Sequence, residues 1–239
     1  MSDHIYESDA IASVRQRLAV AEAEQLSEYT CMGRRFVVHP DVFPPTHFQS
    51  TGLFTQHLPY PSGGAFLEIG CGAGVTAVTA ALSGCRPVVA SDISEAAVQN
   101  TRANAALHGV EDIVSARHGD LFDVLNPGER FDAIFWNSNF VFVPEDYVFD
   151  KTILHAFCDA GYAAHRRFLR EAPNYLAPGG RLLIGFSSQG DDSALTALLA
   201  EYGYTSTTVA SAFGQGVGAH RYDILQLLPG APGDATRTA

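Results

Sequence analysis

The sequence predicts an α/β protein built on one mostly parallel sheet, with helices on both faces and an antiparallel hairpin at one edge. Three observations carry this. From residue 64 onward, strand-like apolar runs alternate with helical patterns, the order that yields parallel strands joined by crossover helices. The runs are nearly continuous in apolar character, as in Ala133-Ile134-Phe135-Trp136 and Leu182-Leu183-Ile184, which suits burial on both faces. After residue 203 the alternation stops. Two strand-like runs, Thr205 to Ala210 and Tyr222 to Leu227, then follow one another across a loop carrying Gly214, Gly216 and Gly218.

Each element has its own signal. Residues 9–29 read as an amphipathic helix, with Ile11, Val14, Leu18, Leu26 and Tyr29 near one face and Arg15, Arg17, Glu22 and Glu24 largely off it. Arg34 to His39 reads as a short strand that Pro40 ends. Asp41 to Phe48 reads as a loop stiffened by Pro44 and Pro45, and Ser50 to His57 as a short helix. Strands are expected at 65–70, 86–91, 112–117, 131–136 and 181–187, and helices at 74–84, 94–108, 152–176 and 191–202. Pro178-Gly179-Gly180 is the expected turn into the fifth strand, and the Gly/Pro/Thr-rich tail from Pro229 is expected to be disordered. The chain thus divides into an N-terminal helix and proline-containing cap (1–60), a main domain (61–228) and a tail (229–239).

Composition narrows the function. The chain has 239 residues, 46% of them hydrophobic, enough for one sizeable core. A net charge of −11 disfavours nucleic acid and anionic membranes, and only Arg34-Arg35 and Arg166-Arg167 cluster. No run of eighteen apolar residues and no basic-then-apolar leader occurs, so a cytoplasmic location is expected and a membrane span is not. Cys31, Cys71, Cys85 and Cys158 are scattered without a C-x-x-C pair, so neither a zinc site nor a disulfide framework is expected. A single lysine, Lys151, against fourteen arginines suggests codon usage in a GC-rich bacterial genome. Oligomeric state stays open, a homodimer included.

The most informative run is Phe66-Leu67-Glu68-Ile69-Gly70-Cys71-Gly72-Ala73-Gly74, followed by a helical segment from Val75. A strand, a glycine turn and a helix N-terminus let a ligand approach bare backbone. Dinucleotide-binding folds want G-x-G-x-x-G, and position 75, the third slot, is Val. The G-x-G-x-G spacing with an acid two residues ahead resembles motif I of class I S-adenosylmethionine (SAM)-dependent methyltransferases. That resemblance implies a Rossmann-like class I methyltransferase fold of seven strands and SAM as the cofactor.

Ligands of open α/β sheets lie outside the carboxyl ends of the strands, and the residues there follow the resemblance. Gly70, Gly72 and Gly74 end the first strand, where the family packs the methionine part of SAM. Glu68 stands where the family uses an acid to hold the SAM amino group. Asp92 ends the second strand, where a carboxylate accepts from both ribose hydroxyls; the bland alternative is that it caps the next helix. Ile93 is then the apolar residue packed on the adenine. Asp120 and Leu121, after the third strand, match the acid that accepts from the adenine amine and its apolar neighbour.

The fourth strand runs into Asn137-Ser138-Asn139-Phe140, where amino-group methyltransferases carry Asn/Asp-Pro-Pro-Tyr/Phe. Asn137 and Phe140 match; Ser138 and Asn139 depart from the two prolines, whose rigidity aims a backbone carbonyl. Methyl transfer is an in-line displacement, so orientation of the attacking lone pair supplies much of the rate. An amide oxygen and a backbone carbonyl accept both hydrogens of a planar nitrogen, and an aromatic ring stacks on its plane. Asn137, the Ser138 carbonyl and Phe140 suit these tasks, and Asn137 is also a cofactor-site candidate. The competing reading is a polar loop with Phe140 in the core.

Val42 to Thr51, around His47, resembles the proline-containing loop before motif I in release-factor glutamine methyltransferases. What precedes residue 36 is too short for their substrate-gripping helical domain, so the expected acceptor is a small molecule, methylated on nitrogen in bacterial specialised metabolism. Two alternatives stand: protein glutamine N-methylation, and O-methylation with a histidine base, His47 being best placed among His47, His57, His155 and His165. The absence of an acid beside Asn137 argues against a metal. An NAD-dependent oxidoreductase and a non-catalytic SAM-binding module complete the alternatives. The aromatic stretch Phe140 to Phe149 is read as a lid over the acceptor or as an extension of the core.

Overall fold

Residues 8–215 and 220–230 are described by a computed structural model. Helix α1 (Asp9–Glu24), a hairpin of β1 (Glu28–Cys31) and β2 (Arg34–Val37), and α2 (Ser50–His57) come first. They are followed by β3 (Phe66–Ile69), α3 (Val75–Leu82), β4 (Val88–Asp92), α4 (Glu95–Leu107), β5 (Val114–His118) and β6 (Phe131–Asn137). Then come β7 (Val141–Val143), β8 (Cys158–Ala160), α5 (Ala163–Glu171), β9 (Leu176–Ser187), α6 (Asp192–Glu201), β10 (Tyr204–Phe213) and β11 (Arg221–Pro229).

Seven strands form the main sheet in the order β10-β11-β9-β6-β3-β4-β5. The ladders from β9 through β5 are parallel, and β11 and β10 close the edge antiparallel. The chain moves outward from β3 through β4 to β5, then returns to place β6 on the other side of β3. This reversal opens a crevice beyond the ends of β3 and β6. Alternate residues on each strand feed opposite faces. Ala133 and Phe135 pack under α2 and α3 with Phe54, Val78 and Ile224, whereas Leu67, Ile134 and Trp136 pack with Phe168 and Leu198 of α5 and α6.

Several elements differ from expectation. The first helix stops at Glu24; Leu26, expected on its apolar face, is exposed, and Tyr29 lies in β1, paired with Phe36. The helix expected over 152–176 is broken into a 3-10 turn at Thr152–Ala156, strand β8, α5 and a second 3-10 turn at Ala172–Tyr175. Two causes are visible: β8 pairs in parallel with β7, and Gly161 and Tyr162 take the left-handed backbone that stops a helix. Pro178-Gly179-Gly180 lies inside a longer β9 that begins at Leu176, with Gly179 at positive φ and an irregular register opposite Phe131. Pro229 of the expected tail ends β11, and residues 231–239, like Gly216 and Gly218, lie outside the described residues.

The N-terminal elements pack onto the main sheet and its small neighbour. Ile11, Val14 and Leu18 of α1 meet Val141, Val143, Leu154, Phe157 and Cys158 in a third apolar cluster. The stretch after Phe140 is therefore core at Val141 and Val143, while Val148 is exposed. Hairpin strand β2 is held through its backbone by two fully buried asparagines of α4. Asn104 accepts from the Val37 N–H (2.8 Å) and donates to the carbonyls of Val37 (2.7 Å) and Ala73 (2.8 Å). Asn100 accepts from the His39 N–H and donates to the Val37 carbonyl, both at 2.8 Å. Among the described residues no helix is long and apolar enough to cross a membrane.

Replacing Asn104 by leucine keeps the branched outline but strands buried peptide groups and adds bulk at a buried site, so it is expected to cost about 2–4 kcal/mol in urea unfolding. A loss below about 0.5 kcal/mol, the range of ordinary surface changes, would show that the asparagine does not hold the hairpin.

Candidate active site

The glycine turn is the floor of the site. Gly70, Gly72 and Gly74 have φ of +67°, +52° and +75°, the left-handed region that an L side chain disfavours. The alternate-position spacing in the sequence is this repeated reversal. Gly74 has a second constraint: a Cβ there would come within 2.9 Å of the Thr101 backbone on α4. Thr101 also donates to the Gly72 carbonyl at 3.1 Å, closing the turn from outside.

Two carboxylates hold the turn from inside. Glu68 is buried, and its Oε2 accepts from the Ala77 N–H (2.8 Å), one of the unpaired donors in the first turn of α3. Burial pushes its carboxyl up to about 8, an effect that bonds from Thr76 and Ala77 reduce and the Asp92 charge increases. Asp92 accepts from the Gly72 N–H through Oδ2 (2.9 Å) and from the Ser94 N–H through Oδ1 (2.8 Å). Burial raises it too, against those two bonds and the nearby His118. Each carboxylate oxygen has two lone pairs, so Asp92 keeps one on each oxygen for a ligand. Helix α4 is capped by Ser94, which accepts from the Ala97 N–H, so Asp92 is free of that task.

Beside them Ile93 is 65% exposed, an apolar surface next to the cavity. Leu121, at φ +47°, is a non-glycine residue in the left-handed region, held there by its buried side chain. Asp120 is half-exposed and accepts from the Arg167 guanidinium through Oδ2 at 2.6 Å, leaving Oδ1.

Across the crevice, β6 delivers the acceptor loop. Asn137 is half-buried; its Nδ2 lies 3.5 Å from the Ser50 Oγ, and among the described residues its Oδ1 accepts no hydrogen bond. The Ser138 side chain turns inward and donates to the Gly185 carbonyl (2.8 Å), and no described donor reaches its own carbonyl. Phe140 is partly buried, edge-on to Phe186.

One cavity of about 1130 Å³ joins these groups. Glu68, Gly70, Gly72, Asp92, Ile93, Asp120, Leu121, Asn137 and Phe140 all line it. Gly74 and His47 are not among its lining residues. Gly74 acts through the packing of α3 and α4. His47 is tied on both ring nitrogens, to Thr46 Oγ1 (2.8 Å) and Glu24 (2.9 Å), so the base expected there is engaged with α1. His155 lines the cavity and stacks on Phe149 at 3.9 Å. The sequence reading missed Val14 and Glu22 of α1, Lys151, which pairs with Glu22 at 2.7 Å, and Arg167. No local motif marks them; Val14, Glu22 and Lys151 arrive through the docking of α1, and Arg167 comes from α5, where it pairs with Asp120. Asn100, Thr101 and Asn104 did carry a signal, three polar residues within the apolar stripe of α4.

The model of the methyltransferase small domain matches residues 33–211. The chain belongs to this family. A release factor glutamine methyltransferase of Neisseria gonorrhoeae is 35% identical over 189 residues, covering 74% of this chain and 67% of that one. A Methanocaldococcus jannaschii protein, provisionally named a protein N5-glutamine methyltransferase, is 33% identical over 159 residues, 65% of this chain and 77% of that one. Among solved structures, a Pyrococcus furiosus methyltransferase superposes with a TM-score of 0.56 at 20% identity, covering 92% and 98% of the two chains. At that identity the likeness is one of fold. The methyltransferase small domain found here is thus a SAM-dependent enzyme of the class I fold.

The residues present fit SAM. The turn offers backbone without side chains, Asp92 has two spare lone pairs, and a buried acid stands ready for a cationic group. The volume exceeds the 300–1,000 Å³ usual for one small ligand, which leaves room for an acceptor beside the cofactor.

Asp92→Ala is expected to weaken SAM binding by roughly 1.5–3 kcal/mol, the scale of hydrogen bonds to a charged group, read by titration calorimetry. Unchanged affinity in a folded variant would remove Asp92 from the cofactor site. Glu68 makes a pH prediction. Its folded value lies above the unfolded one near 4.5, so its contribution to stability is full below about pH 4.5 and is lost as pH rises through about 8. Glu68→Gln should therefore flatten the fall in melting temperature of the ligand-free protein between those values. Parallel curves for variant and wild type would contradict the burial argument.

Proposed function

We propose that this protein transfers a methyl group from SAM to the carboxamide nitrogen of a glutamine side chain presented by another protein. The observation that supports it is the juxtaposition of Asn137 Oδ1, the open Ser138 carbonyl and Phe140 in the same cavity as the glycine turn. The names of the relatives supply the acceptor: the Neisseria protein for release factors and a Burkholderia pseudomallei relative for ribosomal protein uL3. The small-molecule acceptor expected from the short N-terminal region gives way to this reading.

In this reading Gly70 and Gly72 lie under the methionine part of SAM and Glu68 faces its amino group. The spare lone pairs of Asp92 take the ribose hydroxyls, Ile93 and Leu121 flank the adenine, and Asp120 Oδ1 accepts from its amine. Bound SAM supplies an electrophilic methyl on a sulfonium. The chain supplies orientation. A primary carboxamide is planar and offers two N–H donors, one to Asn137 Oδ1 and one to the Ser138 carbonyl, with Phe140 against its plane. Holding the plane in this way sets the nitrogen lone pair towards the methyl, the kind of positioning that accounts for several kcal/mol of barrier. The nitrogen forms its bond to the methyl as the S–C bond breaks, S-adenosylhomocysteine leaves, and the nitrogen gives up one proton to water. His47 lies outside the cavity lining and His155, which lines it, is stacked on Phe149, which supports nitrogen over hydroxyl.

The test is incubation with methyl-labelled SAM and three acceptor pools: bacterial release factors, ribosomal proteins and a small-metabolite extract. Label on a glutamine of the first two, located by peptide mass spectrometry, is the expected result. Label confined to the extract would overturn the protein acceptor. On the labelled acceptor, Asn137→Ala should lower kcat about a hundredfold while SAM affinity stays within a few-fold, and Phe140→Ala should chiefly raise KM. His47→Ala should leave turnover nearly intact; its abolition together with full activity of Asn137→Ala would favour a hydroxyl acceptor.

A further inference from the structure

Ser138 and Asn139 stand where the resembling methyltransferases carry two prolines, and both are tied down by hydrogen bonds. Ser138 donates its hydroxyl (2.8 Å) and its N–H (3.3 Å) to the Gly185 carbonyl on β9. Asn139 donates Nδ2 to the carbonyls of Cys158 (3.0 Å) and His155 (3.2 Å), spanning from the end of β6 to the turn that opens β8. The Phe140 carbonyl accepts from the Tyr162 hydroxyl at 2.9 Å. Three consecutive residues are thus anchored to three different segments.

Asn139 has a cost that stability does not explain. Two carbonyl partners fix which end of its amide is Nδ2, and the Oδ1 at the other end is buried without a hydrogen-bond partner among the described residues. A buried acceptor left unsatisfied is destabilising, and an apolar side chain of similar size would avoid it. What the amide does provide is a fixed distance between the acceptor loop and the Cys158 turn.

We propose that Asn139 is a positioning residue for methyl transfer. Its amide, with the Ser138 hydroxyl, gives through hydrogen bonds the rigidity that two prolines give elsewhere, and so aims the Ser138 carbonyl and Phe140 at the acceptor. The proposal rests on the nitrogen-acceptor reading above for its kinetics, but not for its structural part. Asn139→Leu removes both donations while keeping the branched heavy-atom outline. Asn139→Pro also gives up the two Nδ2 donations but restores stiffness by fixing φ, and it loses no backbone bond, since the Asn139 N–H makes none among the described residues.

The experiment has two arms on the full chain. In the first, amide hydrogen exchange with SAM present is expected to speed up about tenfold or more over residues 137–143 and 155–161 in Asn139→Leu, and to stay unchanged around the glycine turn. In the second, with SAM and a release factor, Asn139→Leu is expected to lower kcat about tenfold or more while KM and SAM affinity move less than about threefold, and Asn139→Pro to recover most of that loss. Unchanged exchange over both segments overturns the clamp whatever the acceptor. Faster exchange with full kcat overturns the positioning role. If the wild-type protein labels no glutamine, the acceptor reading fails; the exchange arm still decides the clamp, and the kcat split is read on the acceptor that takes the label.

Discussion

Burial of Glu68 and Asp92 beside a turn of bare backbone is the constraint on which the rest of the site depends. A carboxyl taken out of water is driven towards its neutral form unless hydrogen bonds or a cation stabilise its charge. The partners they find are mostly backbone: the Ala77 N–H, with the Thr76 side chain, for Glu68, and the Gly72 and Ser94 N–H groups for Asp92. Those bonds give the turn its shape, since Gly72 cannot satisfy its N–H in a regular ladder at +52°. They leave the acids incompletely compensated. In the proposed reading a ligand with an ammonium and two hydroxyls supplies what is missing, and the same two side chains then serve both cofactor affinity and turn geometry. Pre-formed acceptors of this kind need little rearrangement when the ligand arrives.

The acceptor half of the cavity is built differently. Its wall is the β7–β8 pair, which is too small to be stable alone and leans on α1. Surface ion pairs join them, Arg15 with Asp150 and Lys151 with Glu22, but exposed pairs contribute little. The apolar contact is the stronger term: Ile11, Val14 and Leu18 bury against Val141, Val143 and Leu154, and Phe43, Phe48 and Phe157 pack with centroids 4.5–5.2 Å apart. The aromatic stretch after Phe140 is therefore neither a free lid nor a plain extension of the main core. It is the floor on which the N-terminal helix sits, with Phe149 left at the cavity.

How much of this was legible in the sequence follows from where each signal lives. The main sheet was legible, because strands buried on both faces write continuous apolar runs and glycines at positive φ write their own spacing. The placement of Glu68 and Asp92 beside the turn was legible for the same reason, being fixed by distance from it. The region 152–176 was not. Its helix-like composition hides a strand that exists only because β7 is there to pair with it, and the breaks at Gly161 and Tyr162 are backbone states, of which Tyr162 gives no hint. Nor was the hairpin at 28–37 legible in full: half of what holds it is a pair of asparagines more than sixty residues away. The direction of the His47 ring was not legible, because a loop position does not set it and Glu24 of α1 bonds the ring away from the cavity lining.

These differences have one physical origin. At the cofactor end, the geometry is written into the backbone by residues close in sequence, so the motif and the site nearly coincide. At the acceptor end, direction comes from side chains bonding to distant carbonyls: Ser138 to Gly185, Asn139 to Cys158, Tyr162 to Phe140. A bond from a side chain to a backbone carbonyl constrains position while leaving the residue type of its partner free. The loop can therefore depart from two prolines and still be held. Such an architecture separates what shapes the glycine turn from what aims the loop, in a fold whose relatives are named as methyltransferases of release factors and of ribosomal protein uL3.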